Sequence, residues 1–164
     1  MASTSKKSRP SEPTSLENIT LTWNNQLTPE LYTEQIKNYF STAIQPVRYN
    51  WKFSDVKHQL FKDGVTNQLI VFWNFKIDSF DLKDCKDAIV LRINGKFTEN
   101  FIDRDREKSY WVMLSNLNVS GVLYATFENG VVYQYQPGKS LRGLLQVVIF
   151  SFFTGAELLG LLLG

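Results

Sequence analysis

Arg92 stands in an otherwise aliphatic run, Ala88-Ile89-Val90-Leu91-Arg92-Ile93. A guanidinium drawn out of water alongside Val90, Leu91 and Ile93 must be paired or hydrogen-bonded to offset its desolvation. A structural ion pair meets that need, and so does a bound anion. The planar fork of an arginine can serve a carboxylate and a phosphate together. Downstream, the charged, helix-compatible segment from Asp103 to Leu114 supplies three carboxylates, Asp103, Asp105 and Glu107, and spacing alone does not choose among them.

A second group of residues has the makings of a phosphate cradle. The turn Asp63-Gly64-Val65-Thr66-Asn67-Gln68 separates two apolar runs. Gly64 lets the backbone come close to a ligand, while Thr66, Asn67 and the exposed amides can donate to phosphate oxygens. The same residues also make an ordinary hairpin turn. Gln134-Tyr135-Gln136-Pro137-Gly138 follows a strand-like run and ends in a Pro-Gly breaker, which by itself describes a loop leaving a sheet edge. The single Cys85 lies in Asp84-Cys85-Lys86-Asp87 without an evident activating base, so it reads as an incidental thiol. His58 is the sole histidine, which leaves no His/Cys zinc site.

The elements that must position these residues follow from local pattern. Thr28-Pro29-Glu30 starts a helix: Thr caps, Pro fits the first turn and Glu complements the positive helix end. Tyr32, Ile36, Tyr39, Phe40 and Ala43 then recur at the spacing of one buried helical face, and Pro46 ends it. Strands are predicted from Trp51 to Phe61, from Leu69 to Ile77 and from Ala88 to Ile93, with the charged stretch 78–87 as a connector. A last pair, Gly121 to Phe127 and Gly130 to Tyr135, meets at Glu128-Asn129-Gly130. Ile19 to Trp23 suits a short extended segment. Antiparallel strands with a helix packed on them make an α+β layer.

Four segments, DGVTNQL (63–69), AIVLRINGK (88–96), FIDRDREK (101–108) and LYATFENGVVYQYQPG (123–138), occur in an order and spacing that resemble the choline/ethanolamine kinase family, its ethanolamine branch most closely. The resemblance covers roughly residues 50 to 141. It implies a protein-kinase-like N-terminal lobe, a twisted antiparallel sheet with packed helices. It implies that the turn carrying Gly64, Thr66 and Asn67 lies over nucleotide phosphates and that Arg92 stands where protein kinases have lysine. By the same resemblance Glu107 is the helix glutamate paired with Arg92. The 134–138 loop becomes the hinge, where main-chain groups at Gln134 and Gln136 read the adenine edge. The cofactor so implied is ATP with Mg2+, and the reaction is phosphorylation of ethanolamine, which opens phosphatidylethanolamine synthesis.

After Leu141 no family feature is recognised. The lobe that carries the family's catalytic aspartate, its neighbouring asparagine and the metal ligands has no counterpart here. The expected organisation is therefore a disordered tail at 1–16, a kinase-like lobe at 17–141 and an apolar segment at 142–164 foreign to the family. A truncated product, inactive as this chain, accounts for that segment. The rival is a non-catalytic module that pairs with a full-length kinase or sits on a membrane: Gly143 to Gly164 is long enough to cross about 30 Å of hydrocarbon as a helix, although Glu157 and repeated glycines oppose insertion. A net charge of +2 without a basic stripe argues against nucleic acid. One cysteine and an N-terminus rich in Ser, Thr, Lys and Pro, without an apolar stretch, point to the cytoplasm. The glycosylation patterns at Asn18 and Asn118 are accordingly expected to be silent.

Overall fold

The computed structural model describes residues 12–24, 27–61, 67–79, 81–95 and 102–137. Six strands form one sheet: β1 (Thr14–Ser15), β2 (Val56–Phe61), β3 (Asn67–Asn74), β4 (Ile89–Asn94), β5 (Leu123–Phe127) and β6 (Gly130–Gln134), in the order β1-β5-β6-β4-β3-β2. Among the described residues two α-helices accompany it, α1 (Pro29–Tyr39) and α2 (Arg104–Asn116). Five strands are antiparallel to their neighbours, as expected; β1 adds a short parallel pairing, Thr14 with Ala125 and Ser15 with Thr126. The sheet thus reaches into the span 1–16 expected as a tail, because β5 would otherwise end the sheet with unpaired backbone groups.

Alternation along β3 and β4 builds two cores. Ile70, Phe72, Ile89, Leu91 and Ile93 point to one face and pack with Ile36, Tyr39, Phe40, Ala43 and Ile44. Val71, Trp73 and Val90 point to the other, with Leu82, Cys85 and Ala88. Because side chains alternate with period two, Arg92 shares its face with Val90 rather than with Leu91 and Ile93. Burying a residue such as Leu91 or Phe72 contributes about 1.5–3 kcal/mol, which fixes the register and the direction in which Arg92 projects.

Local chemistry sets the element ends. Thr28 Oγ1 accepts from Leu31 N–H, with Pro29 in the first turn. The helix does not continue regularly to Ala43. It widens into a π turn over Phe40–Ile44, with Gln45 N–H donating to Phe40 O at 2.8 Å, and this brings Phe40, Ala43 and Ile44 all inward. The strand expected from Trp51 begins only at Val56. A 3-10 turn at Phe53–Asp55 precedes it, held by Asp55, whose carboxylate accepts from Ser54 Oγ and Lys76 Nζ. β3 stops at Asn74, short of Ile77, because the buried Asn74 Oδ1 accepts from Lys76 and Ile77 N–H and turns the chain.

Ile19 to Trp23 is not a strand. It is tied to the β5–β6 turn by Leu21, which exchanges two hydrogen bonds with the Asn129 side chain. In that turn a Cβ on Gly130 would lie 2.2 Å from Arg92 O and 2.3 Å from Phe127 Cζ, so only glycine allows β6 to close on β4. Cys85 is buried and its Sγ–H donates to Asp81 O, and burial pushes the thiol above its ordinary value, in keeping with an inert role. Among the described residues no helix is long and apolar enough to cross a membrane; 142–164 lies outside them.

Candidate functional site

α2 brings its carboxylate to the face on which Arg92 projects. Asp103 caps the helix, its Oδ1 accepting from Arg106 N–H at 3.0 Å, and so is occupied. Asp105 turns outward, its side chain 96% exposed beside Lys108 at 3.6 Å. Glu107, one turn inside the helix, meets Arg92 as a fork: Nη1 to Oε1 at 2.8 Å and Nη2 to Oε2 at 3.0 Å. Their side chains are only 12% and 14% exposed. Of the three carboxylates left open by spacing, the fold brings Glu107 to Arg92, the one that the resemblance implied.

The fork has company. Arg104 Nη1 donates to Glu107 Oε2 at 2.8 Å, placing two guanidinium groups on one carboxylate. Burial by itself raises the Glu107 carboxyl, but hydrogen bonds and charge from Arg92 and then Arg104 outweigh it and hold the group below its ordinary value. The three side chains sum to one positive charge. Trp111, one turn beyond Glu107, lies 5.6 Å from the Arg92 guanidinium by its ring centre and anchors its Nε1–H on Gly121 O at 2.9 Å. Its ring also contacts Tyr133 at 4.7 Å. Arg92 Nε is buried without a hydrogen-bond partner among the described residues.

Beside this cluster is a cavity of about 410 Å³, walled by Phe61, Leu69, Val90, Trp111, Tyr133 and Tyr135, with Gln134 and Gln136 on its rim. The register explains the convergence: Leu69 faces Arg92 across β3–β4, and Val90 faces Tyr133 across β4–β6. Gln134 ties the rim. Its N–H donates to Val122 O at 2.8 Å and its Oε1 accepts from Val122 N–H at 3.2 Å, next to the Leu123–Tyr133 pair of β5 and β6. Gln136 is exposed, and Tyr135 N–H donates to Ala88 O at 2.9 Å. Val122 thus takes the Gln134 N–H and Oε1, and both Gln134 and Gln136 line the cavity.

Gly64 and Thr66 lie outside the described residues. Asn67 opens β3 opposite Asn94, and the Oδ1 atoms of both are buried without a partner among the described residues. They share the Arg92 face by alternation. Sequence reasoning missed Arg104, Trp111 and the cavity walls, although Arg104 and Trp111 flank Glu107 at helical spacings of three and four, a signal available once Glu107 is singled out. For magnesium the described residues do not fit: no three His, Cys, Asp or Glu side chains converge, and Glu107 is already held by two guanidinium groups.

An apolar slot beside a cationic fork suits a flat ring joined to an anionic group. The family model described as choline/ethanolamine kinase matches residues 58–145, more than half the chain. The chain belongs to the choline/ethanolamine kinase family. It is 33% identical over 98 residues to ethanolamine kinase 2 of Rattus norvegicus, a match covering 60% of this chain and 24% of that protein. With ethanolamine kinase 1 of Homo sapiens it shares 34% over 100 residues, 61% of this chain and 21% of the relative. It thus spans about a quarter of these relatives' length. Among solved structures it is similar to a choline kinase from Cryptosporidium parvum, at TM-score 0.47 and 24% identity over 66% of this chain and 27% of that one. A Plasmodium vivax ethanolamine kinase gives TM-score 0.44 and 20% identity over 73% and 34% of the two chains. The described architecture is α+β, a six-stranded, mainly antiparallel sheet with two helices, in a chain of the choline/ethanolamine kinase family.

Proposed function

We propose that this chain is the ATP-holding lobe of an ethanolamine kinase. The observation that carries the reading is the Arg92–Glu107 fork, set on the same sheet face as the apolar cavity. The adenine ring takes the slot between Leu69, Val90 and Tyr135, with main-chain groups near Gln136 at its edge. Arg92 faces the phosphates, with Asn67, on the same sheet face, beside them. In the family reaction the ethanolamine hydroxyl oxygen attacks the γ-phosphorus, the bond to the β–γ bridging oxygen breaks, and the hydroxyl proton goes to a base. Catalysis of this kind is mainly positioning plus neutralisation of phosphate charge. The described residues supply the nucleotide half of that work; the base and magnesium ligands come from outside them. On this reading the 164-residue chain binds ATP in the cytoplasm without transferring phosphate.

Calorimetric titration of the chain with ATP tests this. Binding that Arg92→Ala weakens strongly, while adenosine still binds, is the expected result. Equal ATP affinity in the variant removes the assignment.

A second reading, a non-catalytic module pairing with a full-length kinase, is favoured by apolar side chains left in solvent at the end of α2: Met113, Leu117 and Val119 are 51%, 64% and 70% exposed. Co-precipitation with full-length ethanolamine kinase, lost on changing Leu117 and Val119 to serine, would favour it over nucleotide binding alone.

A further inference from the structure

We propose that Arg104 is a positioning residue for Arg92: it holds Glu107 through Oε2, so that Arg92 can release one of its two bonds and turn that donor to a phosphate. This role rests on the face being a nucleotide site. The two carboxylate oxygens are not equivalent. Oε1 receives Arg92 Nη1 at 2.8 Å, whereas Oε2 receives both Arg92 Nη2 at 3.0 Å and Arg104 Nη1 at 2.8 Å. The longer of the two Arg92 bonds is thus on the shared oxygen. When Nη2 leaves, Oε2 keeps a charged donor, and no buried acceptor is orphaned. Without Arg104 the same movement strips that oxygen in a site where Glu107 is only 14% exposed.

Charge points the same way. Arg92 and Glu107 alone are neutral as a pair and attract a polyphosphate weakly; Arg104 leaves the cluster with one positive charge. Its position is also unfavourable for helix stability by itself, since Arg104 is the first residue of α2, where the helix dipole disfavours a cation. The i,i+3 step from Arg104 to Glu107 places the two side chains on one face of the first turn, and the Asp103 cap fixes that turn. Arg92 Nε, buried and without a partner among the described residues, supplies a further donor on the same guanidinium.

The experiment uses the 164-residue chain with Arg104→Gln and Arg104→Lys, titrated calorimetrically with ATP and with adenosine. Alongside it, the Glu107 carboxyl is followed by carbon NMR as pH is lowered. Arg104→Gln should weaken ATP roughly tenfold, the scale of one charge-assisted hydrogen bond, and leave adenosine unchanged. It should also raise the pH at which Glu107 titrates. Arg104→Lys should restore part of both, since it keeps the charge. A merely structural arginine would lower both ligands together, and that result overturns the role, as does unchanged ATP binding. Should the native chain bind neither ligand, the nucleotide reading is what fails. The Glu107 titration then decides whether Arg104 holds the carboxylate, and an unmoved titration in Arg104→Gln overturns it.

Discussion

Arg92 and Glu107, fifteen residues apart in the chain, meet through two parallel hydrogen bonds of 2.8 and 3.0 Å. One comes from the middle of a central strand and the other from the first turn of a helix, so their meeting couples α2 to the sheet. Both are largely buried, which makes the pair costly to break from one side only.

Glu107→Gln should therefore destabilise the fold by about 3 kcal/mol, because two guanidinium groups lose their shared counter-charge in a partly buried site. Asp105→Asn, at a side chain 96% exposed, should change stability by less than about 0.5 kcal/mol. Urea unfolding separates them: the first variant lowers the midpoint with little change in slope. Equal midpoints would show that the carboxylate is not structurally required.

Gly130→Ala should be the more damaging of two small changes, since its Cβ would meet Arg92 O at 2.2 Å and the Phe127 ring at 2.3 Å. A cost of about 2–4 kcal/mol is expected from the forced separation of β6 and β4. At Gly121 the nearest atom would be at 3.1 Å, so Gly121→Ala should cost distinctly less. Thermal melting of the two variants checks the order.

His58, half-buried between the Tyr32 and Phe72 rings at 6.1 and 6.2 Å, has its pKa lowered from 6.5 by burial. The unfolded chain therefore takes up this proton at a higher pH than the folded one. Stability should be fully present above pH 6.5, fall as pH drops below it, and level off once the folded form also protonates. His58→Gln should flatten that slope between pH 7 and 5, read as the urea midpoint against pH. A slope that survives the substitution would place its origin elsewhere.

If the chain only holds ATP, as proposed, ethanolamine-dependent ATP consumption by the purified 164-residue chain should not exceed background, because the described residues bring together no magnesium-ligand cluster and transfer needs such positioning. A coupled assay for ADP checks this, in a sample free of any full-length kinase. Sustained turnover would show that the chain carries more of the machinery than its nucleotide face.

Much of this protein was legible in its residues. The aliphatic run around Arg92 determined a strand, the Thr28-Pro29-Glu30 start determined α1, and Glu128-Asn129-Gly130 determined the last hairpin. The need of a buried guanidinium for a partner followed from desolvation alone. Local hydrogen-bonding side chains shifted the ends: Asp55 delayed β2, and Asn74 closed β3 before Ile77. Such side chain-to-backbone bonds compete with the ladder over one or two residues, a range in which hydrophobic pattern is silent. The partner of Arg92 was another matter. Asp103, Asp105 and Glu107 carry the same charge on one short segment, and only the docking of α2 on the sheet turns one inward, leaves one as a cap and sends one to solvent. Arg104 joins the same carboxylate, and Phe61, Leu69, Val90 and Tyr135 come together around one cavity, because strand register sets which side chains share a face. The sequence by itself determined which residues need partners; tertiary packing decided which partners they have, since burial and distance arise only when distant segments are placed side by side.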